Sequence, residues 1–135
     1  MVSDRQRIDV TRQDRVTVVS FRDDMDLTDE AEAYLALSGA RGDTGTTGTL
    51  LDLAGLAFAD STTLNVILRA YNDHQAVPRP FVLSGPYQPA VARLFEITGA
   101  GDALEMADNR AAGLRRVHEL QERLGSDQAS TPDAQ

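Results

Sequence analysis

Residues 50–71 constrain this chain most. Leu50-Leu51-Asp52-Leu53 is a short apolar run that reads as a strand buried on both faces. It is followed by Ala54-Gly55-Leu56-Ala57-Phe58-Ala59 and then by the dense capping cluster Asp60-Ser61-Thr62-Thr63. Leu64, Ile67, Leu68 and Tyr71 recur at i, i+3, i+4 and i+7, so an amphipathic helix starts where the cap sits. A buried strand feeding a capped helix is the repeating unit of a parallel sheet covered by helices.

The flanking segments extend this pattern. Ile8 and Val10, then Val16, Val18 and Phe21, predict two strands turned at Gln13-Asp14-Arg15. Thr28 is expected to cap a helix whose face carries Ala31, Tyr34, Leu35 and Ser38, ending at Gly39 or Gly42. The run Gly42-Asp43-Thr44-Gly45-Thr46-Thr47-Gly48-Thr49 reads as a flexible connector, because a phosphate cradle would need a lysine and a preceding strand. Phe81-Val82-Leu83 predicts a buried strand. Pro89 opens a helix bearing Val91, Leu94 and Phe95, and Ala103–Met106 predicts a short last strand. Residues 109–124 predict a final helix with Leu114, Val117, Leu120 or Gln121, and Leu124 in its stripe. The expected fold class is α/β: a mixed sheet, its N-terminal hairpin antiparallel and the rest parallel, flanked by about four helices. The expected organisation is a flexible segment at 1–6, one domain over 7–124 and a disordered tail at 125–135.

Composition narrows function by exclusion. The 135-residue chain carries 13 basic residues, all of them arginine, and has no cysteine. Without lysine there is no Walker A loop, Schiff base or kinase-type phosphate lysine. Without cysteine there is no disulfide, thiol nucleophile or cysteine zinc site. A net charge of −8 argues against binding a phosphate backbone. No apolar run reaches the ~18 residues of a membrane span. Because no apolar stretch follows the N-terminal charges, the expected location is cytoplasmic. His74 and His118 lie in polar helical stretches without a second ligand at metal spacing, and both read as solvated. Asp23, Asp24 and Asp26 form the densest acidic cluster, read as a turn leading into a helix rather than a cation site. No catalytic group, cofactor or metal is expected.

The turn Asp60-Ser61-Thr62-Thr63 therefore carries the functional question. Such residues cap helices everywhere. Yet the turn also lies at the C-terminal end of a parallel strand, the edge where open α/β sheets present working groups. A phosphate on a hydroxyl there would be tolerated by the helix N-terminus.

Leu51–Leu64 resembles the signature of the STAS domain, in its anti-anti-sigma factor branch, where the pattern is roughly D-L-S-G-L-x-F-x-D-S-[ST]-G-L. Three further segments agree: Asp24-Met25-Asp26-Leu27, Pro89–Gly99 and Asp108-Asn109-Arg110-Ala111-Ala112. Together they span about residues 8–120. The resemblance implies a small mixed sheet with helices and a regulatory role. An unphosphorylated antagonist binds an anti-sigma factor that is also a serine/threonine kinase, and so frees a sigma factor. The kinase inactivates the antagonist by phosphorylating the hydroxyl after the motif aspartate, here Ser61, with Thr62 as the alternative acceptor. A PP2C-type phosphatase reverses it. The implied partner surface is Asp26 with Asp60, Ser61, Thr62, Thr63 and Leu64, on a monomer or weak dimer. Thr63 and Asn65 stand where the family has glycine or a small residue. They motivate a second reading: an interaction module without a phosphorylation cycle, such as a scaffold or a lipid-transporter accessory subunit.

Overall fold

The computed structural model describes residues 7–130, with side chains to residue 125. The expected flexible segment 1–6 and the last five residues of the expected tail lie outside the described residues. Strands β1 (Ile8–Gln13) and β2 (Val16–Phe21) form the predicted hairpin, paired antiparallel from Ile8↔Phe21 to Gln13↔Val16. Asp14 and Arg15 have φ of 53° and 67°. Two consecutive left-handed residues give the tight two-residue turn whose twist matches that of the strands.

Parallel pairing then adds β4 (Thr49–Asp52), β6 (Phe81–Ser84) and the two-residue β7 (Met106–Ala107), in the order β1-β2-β4-β6-β7. The register aligns Val19, Leu51 and Leu83 in one row and Val18, Leu50 and Val82 in the next. Side chains alternate across a strand, so these rows face opposite sides. The first row packs beneath α1 (Glu30–Arg41), α2 (Ser61–Ala76) and α3 (Pro89–Thr98), against Leu37, Ile67 and Phe95. The second packs on α4 (Arg110–Ser130) through Leu114 and Val117. Cover on both faces is why the central strands read as unbroken apolar runs. Helix α4 lies close to the sheet at Gly113, where a Cβ would fall 2.6 Å from Leu50 Cδ1 and 3.1 Å from Ser84 Cβ.

Several expectations are corrected. Residues 54–59, given no element from the sequence, hold a strand: β5 (Leu56–Ala59) pairs in parallel with β3 (Asp23–Met25) as a separate two-stranded sheet. Asp23, at φ 61°, marks a register shift that lets the chain leave β2 and enter β3. Asp26 rather than Thr28 caps the next element, a 3-10 turn over Leu27–Asp29 that leads into α1. Helix α1 buries Ala33, Leu37 and Ala40, whereas Leu35 stays 69% exposed. Ala31 with Leu35 and Ala33 with Leu37 give the same alanine–leucine spacing of four, and the second pair, not the first, faces the core. A 3-10 turn occupies Ala100–Ala103, so the last strand falls later than expected. The final helix continues to Ser130, six residues past its expected end and into the expected tail.

The 42–49 segment is tied down. Asp43 accepts hydrogen bonds from Arg12 (2.7 and 3.1 Å), the Thr17 hydroxyl (2.9 Å) and Gly45 N (3.0 Å). Chiefly the Thr17 bond holds its carboxyl below the usual range. Arg79 donates to Thr46 O and Oγ1 at 3.0 and 2.6 Å. Nearby, His74 is buried rather than solvated. Its Nδ1 lies 2.7 Å from Ala70 O and its Nε2 2.9 Å from Thr49 Oγ1, with Phe81 against the ring. His118, on α4, is half-buried.

Candidate partner-binding edge

Strand β5 ends at Ala59, and Asp60 takes the extended conformation of an N-cap (φ −96°, ψ −178°). Its Oδ1 accepts from Thr63 N at 3.0 Å and from Thr63 Oγ1 at 3.3 Å, satisfying a donor that the first turn of α2 leaves free. Leu64 N closes the first helical bond on Asp60 O at 3.2 Å. Ser61 is the first residue of α2 and is exposed, and Thr62 is half-buried. Among the described residues, nothing hydrogen-bonds the Ser61 hydroxyl.

The small sheet brings the second strand end alongside. Because Met25 pairs with Ala59 in a parallel register, Asp26 and Asp60 leave neighbouring strands side by side. Asp26 is exposed. Its Oδ1 accepts from Thr28 N at 2.9 Å and Thr28 Oγ1 at 2.7 Å, while its own N–H donates to Asp29 Oδ2 at 3.1 Å, a reciprocal capping box. The Thr28 hydroxyl, then its amide, hold the Asp26 carboxyl below its ordinary range. Arg7 anchors Asp29 from behind at 3.2 Å.

Two capped N-termini thus share one edge, and the expected site residues divide. Asp26, Asp60, Ser61 and Thr62 come together with solvent access. Thr63 and Leu64 are 2% and 4% exposed. Their side chains face inward and shape the turn, so they present no contact surface. Thr63, where a glycine was expected, folds its hydroxyl back onto Asp60. Asn65 is exposed on the next turn of α2.

Sequence reasoning missed two members of this edge. Leu27 is 64% exposed and Phe58 49% exposed, in the elements on either side of the caps. No element is assigned to 54–59 from the sequence, so the outward position of Phe58 had no signal there. A separate ion pair fixes the base of the edge: Asp52, at the end of β4, receives Arg110 at 2.7 and 3.0 Å and Ala54 N at 2.9 Å.

The model of the STAS domain family matches residues 7–113. The chain belongs to the STAS domain family. Solved structures of similar fold include an anti-sigma factor antagonist from Mycobacterium paratuberculosis (20% identity, TM-score 0.72, covering 82% of this chain and 92% of that one). The anti-sigma factor antagonist SpoIIAA in its unphosphorylated form also matches (17%, TM-score 0.60, covering 87% and 97%). The cell fate determinant SpoIIAA of Bacillus in its phosphorylated form does so too (18%, TM-score 0.62, covering 82% and 98%). A search of curated proteins finds no match. The STAS chain therefore has the mixed α/β fold shared by these antagonists, and among the described residues no helix is long and apolar enough to cross a membrane.

Proposed function

We propose that this STAS protein is an anti-sigma factor antagonist. Unphosphorylated, it binds an anti-sigma factor with serine/threonine kinase activity through the edge formed by Asp26, Asp60, Ser61 and Thr62, and so releases a sigma factor. Phosphorylation at Ser61 ends the interaction, and a PP2C-type phosphatase restores it. The protein acts in the cytoplasm as substrate and binding surface, with the kinase supplying the ATP chemistry.

The observation that carries this reading is the exposed Ser61 hydroxyl at the first position of α2. It stands at the capped N-terminus of α2 and has no hydrogen bond among the described residues. The neighbouring hydroxyl of Thr63 is buried and held by Asp60, which supports Ser61 as acceptor over Thr63. A phosphate adds about −1.5 to −2 charges. At a helix N-terminus those charges are favourable by up to roughly 1 kcal/mol, so the fold stays intact. The cost falls on the complex. A partner that covers exposed Leu27 and Phe58 must also desolvate a dianion beside the carboxylates of Asp26 and Asp60.

Binding to the cognate kinase, measured by calorimetry, tests this. Ser61→Ala is expected to keep wild-type affinity, and Ser61→Asp to lower it at least tenfold. Equal affinity of both variants contradicts the switch and favours an interaction module without a phosphorylation cycle, the reading that exposed Asn65 motivates.

A further inference from the structure

At the end of α2 opposite Ser61, a cavity of about 290 Å³ opens between Tyr71 and Gln75 of α2, the start of β6, and Leu120, Arg123 and Leu124 of α4. It exists because β7 pairs with β6 only at Leu83 and Ser84, which leaves the Phe81 end of β6 without a strand neighbour on that side. The floor is apolar, with the Tyr71 and Phe81 rings 6.4 Å apart. Three charged residues line it, and two are occupied. Glu105 is paired with Arg116 at 3.0 Å, and the terminal nitrogens of Arg79 donate to Thr46. Arg123 makes no hydrogen bond or ion pair among the described residues. In a chain of net charge −8, the cavity thus sets an unpaired cation against an apolar floor.

We propose that this cavity binds a small amphipathic carboxylate, with its head on Arg123 and its body on Phe81 and Leu120. The volume equals the space of about ten water molecules, which sets the ligand at on the order of ten non-hydrogen atoms. A guanidinium matches a carboxylate with two parallel hydrogen bonds. The C-terminal carbonyls of α2 disfavour an anion on that side, which seats the head toward α4. A cation of the same size meets Arg79 and Arg123 and is rejected. This proposal is independent of the Ser61 reading.

Two-dimensional amide NMR of the full ¹⁵N-labelled chain tests it, with octanoate, 1-octanol and octylammonium as probes. The expected result is saturable shifts at Tyr71, Gln75, Phe81 and Leu120 with octanoate, and at least tenfold weaker binding of the other two. Arg123→Gln, at an exposed position, should weaken octanoate at least tenfold and leave 1-octanol unchanged. Gln75→Trp, also at an exposed position, should fill the opening and abolish binding. Unsaturable shifts, shifts outside the cavity, equal binding of all three probes, or an Arg123→Gln variant with unchanged octanoate affinity would each overturn the proposal.

Discussion

Acidification below pH 6.5 should destabilise this protein, and His74 is the reason. The ring is 1% exposed, with both nitrogens occupied by Ala70 O and Thr49 Oγ1. Burial, above all, lowers its pKa from 6.5 to about 4. The Ala70 carbonyl and Asp73 oppose that shift, and Arg79 and Arg41 reinforce it. Between those two values the unfolded chain binds a proton that the folded chain refuses, so stability falls as pH falls. At 1.36 kcal/mol per unit, the loss from pH 7 to pH 4.5 is about 2 kcal/mol, a sizeable part of the 5–15 kcal/mol typical of a domain. The pKa values of Asp26 and Asp43 lie below 3.8, so their contributions are lost only below this window. Urea unfolding followed by circular dichroism at pH 7, 6, 5 and 4.5 reads the slope directly. His74→Gln should lower stability at pH 7 and flatten the dependence. A flat wild-type profile, or a variant that keeps the wild-type slope, would refute the reasoning.

Other perturbations have expected outcomes of their own. Asp60→Ala removes the cap that holds Thr63 and should lower stability by about 1 kcal/mol in urea titrations. Gly113→Ala forces a methyl group against Leu50 and Ser84 and should cost about 1–3 kcal/mol, read as a lower thermal midpoint. Arg110→Gln leaves the Asp52 carboxylate, 8% exposed, without its cation. Because the Arg110 side chain is itself 41% exposed, the loss should be about 1–2 kcal/mol rather than that of a fully buried pair.

The sequence made the large elements legible because their signals were periodic and redundant. The buried strands at Leu50 and Phe81, the cap at Asp60 and the stripes of α2 and α3 each rest on several residues that agree. What escaped was short or contextual. Strands β3 and β5 have three and four residues, too few to show a period, and pair only with each other. The contact face of α1 was misread because the Ala31–Leu35 and Ala33–Leu37 pairs have the same spacing and only the fold decides which one is buried. His74 sits among polar neighbours in the chain, and only the register that places Thr49 and Phe81 beside it buries it. The glycine- and threonine-rich loop looked loose because its partners, Arg12, Thr17 and Arg79, are all at least 26 residues away. At the candidate edge, Asp26, Asp60 and Ser61 were legible as caps and acceptor. The inward turn of Thr63 and the exposure of Phe58 needed the fold.

Phosphosite mapping on the intact chain, after incubation with its cognate kinase and ATP, tests the central claim most directly. The account predicts a single phosphate, on Ser61, with no modification of Thr63 and none at all in Ser61→Ala. Phosphate on Thr62 or Thr63 in the wild-type chain, or a stable kinase complex that leaves Ser61 unmodified, would contradict it.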